Sequence, residues 1–522
     1  MKLAAIFSDN MVLQRDKVIY VFGTSDVDET IEINIDDIQV KSDVKAGRWS
    51  ISLPPHVAGG PYEMIVSSPK ESKSIKNVLY GEVWIDNGQS NIEFEIQNAR
   101  GGMDEVEKAD YPQIRYFKSI KSPVVDEEFL EAEEKLTWTL VTDGKCKELS
   151  GIGYYFAKQL HGEMGVPIGL VDCYQGGSSI TCWMEKEVLE EMPEAESYLS
   201  DFREATKDQT EEEFDRLLNE YNALVDRFVS IEKEVKAEKP DATIEEVEEK
   251  AGKYPWPPPV GLKSAFRPGG LIETMFKRIA PFSARGILYY QGEEDAIRNY
   301  ENYVKTGKND KYKNLLLRLI REYRRLLKDD GLPVVIVQLP MYLGKGEEDL
   351  RDWAYLREAQ ELAVNESKDT MLVSLLDLGE YNNVHPVDKR TPGIRIAEEV
   401  LDVIYGENTM GTQDMIFDKY SKKSNKLSLS FLNTYGSIEI RDNELINLRN
   451  EEASQETEHL FGFEISSDFE TWKVPASYIN GEQIIIEIDE DTKELRYGFF
   501  NYGKVNVYNA IGGTLRQFRV KL

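Results

Sequence analysis

A chain of 522 residues with 41% hydrophobic and 10% aromatic side chains can build substantial cores in roughly two to four domains, which excludes general disorder. Its 94 acidic against 63 basic residues leave a net charge of −31, which repels nucleic acid and anionic membrane surfaces. No apolar run approaches the roughly 20 residues of a membrane span, and the opening MKLAAIFSDNMVLQRDK has too short an apolar stretch for a secretory leader. Three cysteines, Cys146, Cys173 and Cys182, make no disulfide framework. An odd count suits a reducing compartment, so a soluble cytoplasmic protein is expected.

Residues 1–80 carry short alternating stretches separated by turn residues. KVIYVFGT, ETIEINIDD, GRWSISLPP and YEMIVSS each read as a strand of a small β domain resembling a sandwich. Over 81–405 the pattern changes: apolar strands (EVWID, IGLVDCY, RGILYYQ, PVVIVQL, MLVSLLD) alternate with amphipathic helices such as KYKNLLLRLIREYRRLLK. That alternation predicts an α/β domain with a parallel sheet covered by helices on both faces. From 406 to 522 the β pattern returns in NKLSLSFL, SIEIRD, QIIIEID and ELRYGFF.

An insertion at about 185–260 interrupts the α/β part. Phe214, Leu217, Tyr221, Leu224, Phe228, Ile231 and Val235 form an a/d seam over three heptads. A second helix opens on the capping box Thr243-x-x-Glu246, and YPWPPPVG ends helix formation. The favoured reading is a helical hairpin packed on its own body. A homodimerisation arm or a lid is the sharper alternative.

Ser90 lies in GEVWIDNGQSN, where an apolar strand turns. Serine there is most often a helix N-cap. Three features favour a nucleophile: Gly88 permits a sharp turn, parallel sheets place their sites at strand ends, and free N–H groups at a helix start suit an oxyanion. The base must come from four histidines. His56 lies in a Pro/Gly-rich turn, His161 ends a helix, and His459 belongs to the last β region. His385 follows the strand MLVSLLD and so shares a rim with Ser90. DCYQGGSSI and LYYQGEEDA both end strands in Gln-Gly, offering backbone donors at Gly176 and Gly177 and the Gln291 amide. Ordinary strand-end turns are the plainer explanation of both.

These blocks together resemble the sialate O-acetylesterase family of carbohydrate esterases, within the SGNH hydrolases. GEVWIDNGQSN is similar to its nucleophile block, VPIGLVDCYQGGSSITCW to its second, RGILYYQGEEDA to its third and DLGEYNNVHPVDKRTPGIRIA to its histidine block. IFSDNMVLQRDKVI, FRPGGLIETMFKRIAPF and the terminal RYGFFNYGKVNVYNAIGGTLRQFR also fit, so the resemblance spans nearly everything but the insertion.

The resemblance implies Ser90 as nucleophile and His385 as base. It implies an oxyanion hole from the Ser90 backbone, Gly176 (or Gly177) and Gln291, with Glu293 as an orienting carboxylate. No cofactor and no metal is implied, and an O-acetylated sugar would be the substrate. Many SGNH enzymes place an aspartate three residues before the histidine; here Asn382 stands there. A Ser-His dyad is therefore expected, with Asp377 and Glu380 as weak candidates for a third member.

Two rivals are a lipid or thioester hydrolase using the same serine and a non-catalytic glycan-binding protein. Trp183, Trp256, Tyr289 and Tyr290 are candidates for stacking on sugar, each equally suited to a core position.

Overall fold

The computed structural model describes residues 1–239, 242, 244–407, 413–441 and 460–522. Thr243 of the expected capping box and His459 lie outside the described residues.

The expected N-terminal strands form at Ile19–Thr24, Thr30–Ile35, Arg48–Leu53 and Gly59–Ser67. Alternation decides their inner face: Trp49, Ile51 and Leu53 are buried while Arg48, Ser50 and Ser52 are exposed. A further strand, Ile38–Asp43, pairs antiparallel with Thr30–Ile35.

The strand Ser72–Gly88 joins this region to the α/β part. Its first residues pair antiparallel with Gly59–Ser67. Its second half, buried without interruption from Val78, enters the central sheet. The expected boundary at residue 80 therefore falls inside a strand, and one hydrophobic cluster contains both Ile33 and Ile336. The first 80 residues thus form β strands whose core is continuous with that of the next part.

Across the central sheet the strands run Thr139–Thr142, Asp110–Lys118, Ile168–Tyr174, Ser72–Gly88, Gly286–Tyr290, Val334–Val337 and Thr370–Val373. Pairings are parallel except at the Thr139–Thr142 edge. Side chains alternate across the sheet, so Trp84 and Asn87 face opposite layers. Trp84 donates to Tyr405 just past the helix Arg390–Val403 and packs on Phe156 of the helix Gly151–Met164. Asn87 accepts from Tyr323 of the helix Lys311–Leu327. Helices thus cover both faces, as the uninterrupted apolar strands require.

Gly88 lies opposite Tyr174 on one neighbour and opposite Tyr290 on the other. The next residues, Gln89, Gln175 and Gln291, therefore leave three adjacent strands at one level of the rim. This register brings the sequence blocks together.

Over 413–522 the described strands form small antiparallel sheets. Their core takes in Met341, Leu343 and Leu376 from loops beyond the central strands, so the C-terminal part is seated on the rim of the central sheet. In the insertion, the helix Glu211–Glu238 packs against Ile244–Ala251 through Phe228, Val235 and Val247. Leu224 of the expected seam is 55% exposed, while Phe214 is buried against Gly261. The hairpin packs on its own chain.

Candidate active site

Ser90 opens a single helical turn, Ser90–Glu93, and the N-cap position belongs to Gln89, whose side chain makes no capping bond. The serine hydroxyl is therefore not consumed in capping. Instead His385 Nε2 lies 2.8 Å from Ser90 Oγ, and both residues are half-buried, so the pair is reachable from solvent. The sharp exit needs Gly88: at φ 134°, a Cβ there would lie 2.0 Å from the Tyr290 carbonyl oxygen.

The loop Glu380–Val387 carries the histidine, and Glu380 shapes it. Its carboxylate accepts from Asn383 Nδ2 at 2.6 Å and from the Val387 N–H at 2.9 Å, while Asn383 Oδ1 accepts from the His385 N–H at 3.1 Å. Glu380 thus braces the turn, and its bonds run to that turn rather than to the imidazole ring. Asp377 is committed elsewhere. Both its oxygens receive Arg395, at 2.7 and 3.0 Å, and Tyr508 adds a third bond. The paired guanidinium holds that buried carboxyl below its ordinary value despite burial. Asn382 adopts a left-handed backbone (φ 54°) and its Oδ1 accepts from the Lys345 N–H, which turns the side chain away from His385. His385 Nδ1 makes no hydrogen bond with a described residue. Neither weak candidate for a third triad member thus reaches the ring.

Glu293 acts through an intermediary. Its Oε1 accepts from Asn91 Nδ2 at 2.8 Å; the same amide donates to the Val384 carbonyl at 2.9 Å, next to His385. Asn91 Oδ1 in turn accepts from Lys389 Nζ at 2.7 Å. Asn91, the residue after Ser90, is thereby tied to Val384, the residue before His385. Burial drives the electrostatics of this network: Glu293 is pushed up to about 7 and Lys389 down to about 7. His385 is lowered to about 4, first by burial and then by the nearby Lys389 charge. The imidazole is consequently neutral through the physiological range and able to accept a proton.

The expected oxyanion donors differ in where they point. The Gly176 N–H donates to the Glu93 carboxylate, so it is already engaged. Gln291 is fully buried, and its Nε2 donates to Gln89 Oε1 at 3.1 Å, to the Ser178 carbonyl at 3.1 Å and to Asp295 Oδ2 at 2.6 Å. Its Oε1 accepts from Tyr289 and Tyr312. Here Gln291 braces the residue before Ser90 instead of facing the reaction. The Ser90 and Gly177 N–H groups make no hydrogen bond with described residues, which leaves them as the available pair. Asp295 also accepts from the Ile180 N–H and from Tyr198, tying the second block to the third.

Asn91, Lys389, Asp295 and Gln89 all lie inside blocks the sequence singles out, yet sequence reasoning gave them no role. A polar residue directly flanking Ser90 or four residues after His385 is the signal the sequence offers for Gln89, Asn91 and Lys389. Of the four aromatic candidates, Trp183, Tyr289 and Tyr290 are core residues at 0–1% exposure. Trp256 alone is open to solvent, at 45%. His56 stacks on Tyr80, and His161 bonds the Val166 carbonyl.

The family model described as carbohydrate esterase, sialic acid-specific acetylesterase matches residues 80–218 and 263–401, more than half of the chain. The chain belongs to this acetylesterase family. Among curated relatives, the sialate O-acetylesterase of Mus musculus is 23% identical over 449 residues, covering 79% of this chain and 75% of the mouse protein. That of Homo sapiens is 28% identical over 206 residues, 35% of this chain and 38% of the human one. Among solved structures, a carbohydrate acetylesterase from Xanthomonas citri superposes with a TM-score of 0.74 at 25% identity, covering 99% of both chains. The matched span of the family model holds every residue of the Ser90, Glu293 and His385 network.

Proposed function

We propose that this family member releases acetate from O-acetylated sugars through an acetyl-enzyme on Ser90. The observation that carries the reading is the 2.8 Å contact between Ser90 Oγ and a neutral His385. His385 Nε2 takes the hydroxyl proton as Oγ attacks the acetyl carbonyl, and the Ser90 and Gly177 N–H groups receive the developing oxyanion. The imidazolium then gives its proton to the departing sugar oxygen. Water, activated by the same imidazole, attacks the acetyl-enzyme, and acetate leaves.

The third member is a positioning network rather than a carboxylate on Nδ1: Glu293 and Lys389 fix Asn91, and Asn91 fixes the Val384 carbonyl beside the base. The oxyanion donors and substrate binding supply the rest of the acceleration.

The test is acetate release from acetylated xylo-oligosaccharides and 9-O-acetylated sialic acid, side by side, by the enzyme and its Ser90→Ala variant. The variant is expected to lose about 10⁴-fold or more in kcat. Release that persists in the variant contradicts the mechanism. Rates that rise from acetate to octanoate esters favour a lipid or thioester hydrolase, and sugar binding without release favours a glycan-binding protein.

A further inference from the structure

We infer that Trp256, carried by the helical insertion, is a sugar-stacking platform at the mouth of the Ser90 site, and that the insertion exists to hold it there. The inference rests on the functional reading above. The Gly176–Gly177 turn abuts the nucleophile: a Cβ on Gly176 would lie 3.4 Å from Ser90 Cβ. The next residue, Gly177 (φ 70°), has the six-membered edge of Trp256 so close that a Cβ would come within 1.9 Å of the indole Cη2. The indole therefore sits one residue from the nucleophile's neighbour, against the backbone whose N–H group is left for the oxyanion. It is still 45% exposed, whereas Trp183, Tyr289 and Tyr290 are sealed in the core. A large flat ring, nearly half exposed beside the Ser90 turn, suits the C–H face of a pyranose, because aromatic faces carry partial negative charge.

The insertion fixes this ring from several directions. Trp256 packs edge-on against Phe266, with ring centres 6.0 Å apart. Two residues earlier, the Tyr254 ring meets Phe228 of the long helix with ring centres 5.2 Å apart. After it, the Val260 carbonyl accepts from Gln209, Gly261 lies against the Phe214 ring, and Lys263 pairs with Glu211. The segment 254–263 is thus pinned along the start and middle of the Glu211–Glu238 helix. The family model leaves out residues 219–262, so the chemistry of Ser90 lies inside the shared catalytic frame while this wall lies outside it. That division fits a residue that selects the alcohol part of the ester and takes no part in breaking the bond. A helical pair that packs on itself through Phe228, Val235 and Val247 and leads into a tethered aromatic is a support, which neither a lid nor a dimer arm requires.

The experiment compares wild type, Trp256→Ala, Trp256→Phe and Tyr254→Ala on an acetylated sugar and on ethyl acetate, which has no ring to stack. Trp256→Ala is expected to raise KM for the sugar about tenfold with kcat nearly unchanged, and to leave ethyl acetate hydrolysis as in wild type. Trp256→Phe should recover most of the loss, and Tyr254→Ala should move KM in the same direction. Equal losses on both substrates, or no loss on the sugar, overturn the platform. Wild type that hydrolyses ethyl acetate but neither sugar contradicts the functional reading instead. The platform is then decided by titrating xylobiose and sialic acid into wild type and Trp256→Ala: about tenfold weaker binding supports it, and equal or absent binding overturns it.

Discussion

Two strand ends in this molecule read alike and do different work. Tyr174-Gln175-Gly176 and Tyr290-Gln291-Gly292 leave neighbouring strands at the same level, on either side of the nucleophile strand. At the first, the Gln175 side chain is half-buried, with only a 3.4 Å contact to the Gly176 carbonyl, and the backbone beyond it borders Ser90. At the second, the Gln291 side chain satisfies five partners in the interior, and the carboxylate two residues on holds Asn91. One edge lays backbone beside Ser90, and the other positions the residues flanking it. A Gln-Gly motif therefore specifies a place on the rim; the partners packed against it specify its role.

Replacing the two glutamines should break this comparison most sharply. Gln291→Leu takes one hydrogen bond from each of the buried Asp295, Gln89, Tyr289 and Tyr312 groups and removes the acceptor of the Tyr289 hydroxyl, which alone costs about 1–3 kcal/mol, so a fall in denaturation midpoint is expected. Gln175→Leu should stay within about 1 kcal/mol of wild type in the same measurement. Comparable losses at both would mean the two edges do the same work.

Next in size is Glu293→Ala. It frees Asn91 and with it the geometry between Ser90 and the histidine loop, so kcat should fall about 10²-fold with KM little changed in steady-state acetate release. A loss confined to KM would place Glu293 on the substrate instead.

A smaller effect separates charge from geometry. Lys389 lies near His385 and disfavours the imidazolium, which helps hold that group at about 4. Activity needs the neutral ring, so kcat/KM is expected to be lost only as pH falls through that low value. Removing the cation in Lys389→Met stabilises the imidazolium and raises the His385 value, so the acid limb of the pH–rate profile should move to higher pH. An unmoved limb would leave burial as the sole cause. Smallest of all, Glu380→Gln keeps one of the two oxygens that accept the bonds of the turn and removes no group bonded to the imidazole. Its pH–rate profile should superimpose on wild type.

The fold and the blocks were legible because buried parallel strands and amphipathic helices have distinct periods, and because Ser90 and His385 follow strands that end on one rim. The division at residue 80 was not legible. Ser72–Gly88 alternates and then turns fully apolar within one strand, and a change of pattern does not break a backbone. Nor were the roles of Asn91, Lys389 and Asp295, since a polar side chain declares its partner only in three dimensions. The reassignment of Gln291 from oxyanion donor to brace has the same cause. Trp256 stood beside three other aromatics as a stacking candidate, and only burial told them apart.

The central claim is a serine nucleophile served by a histidine whose far nitrogen meets no carboxylate among the described residues. The most direct measurement is rapid quenching during turnover of an acetylated sugar, followed by mass spectrometry of the Ser90 peptide. An acetyl group on Ser90 that forms in wild type and is absent in His385→Ala is the result the account predicts. Steady acetate release with Ser90 never acetylated, or undiminished acetylation without His385, would contradict it.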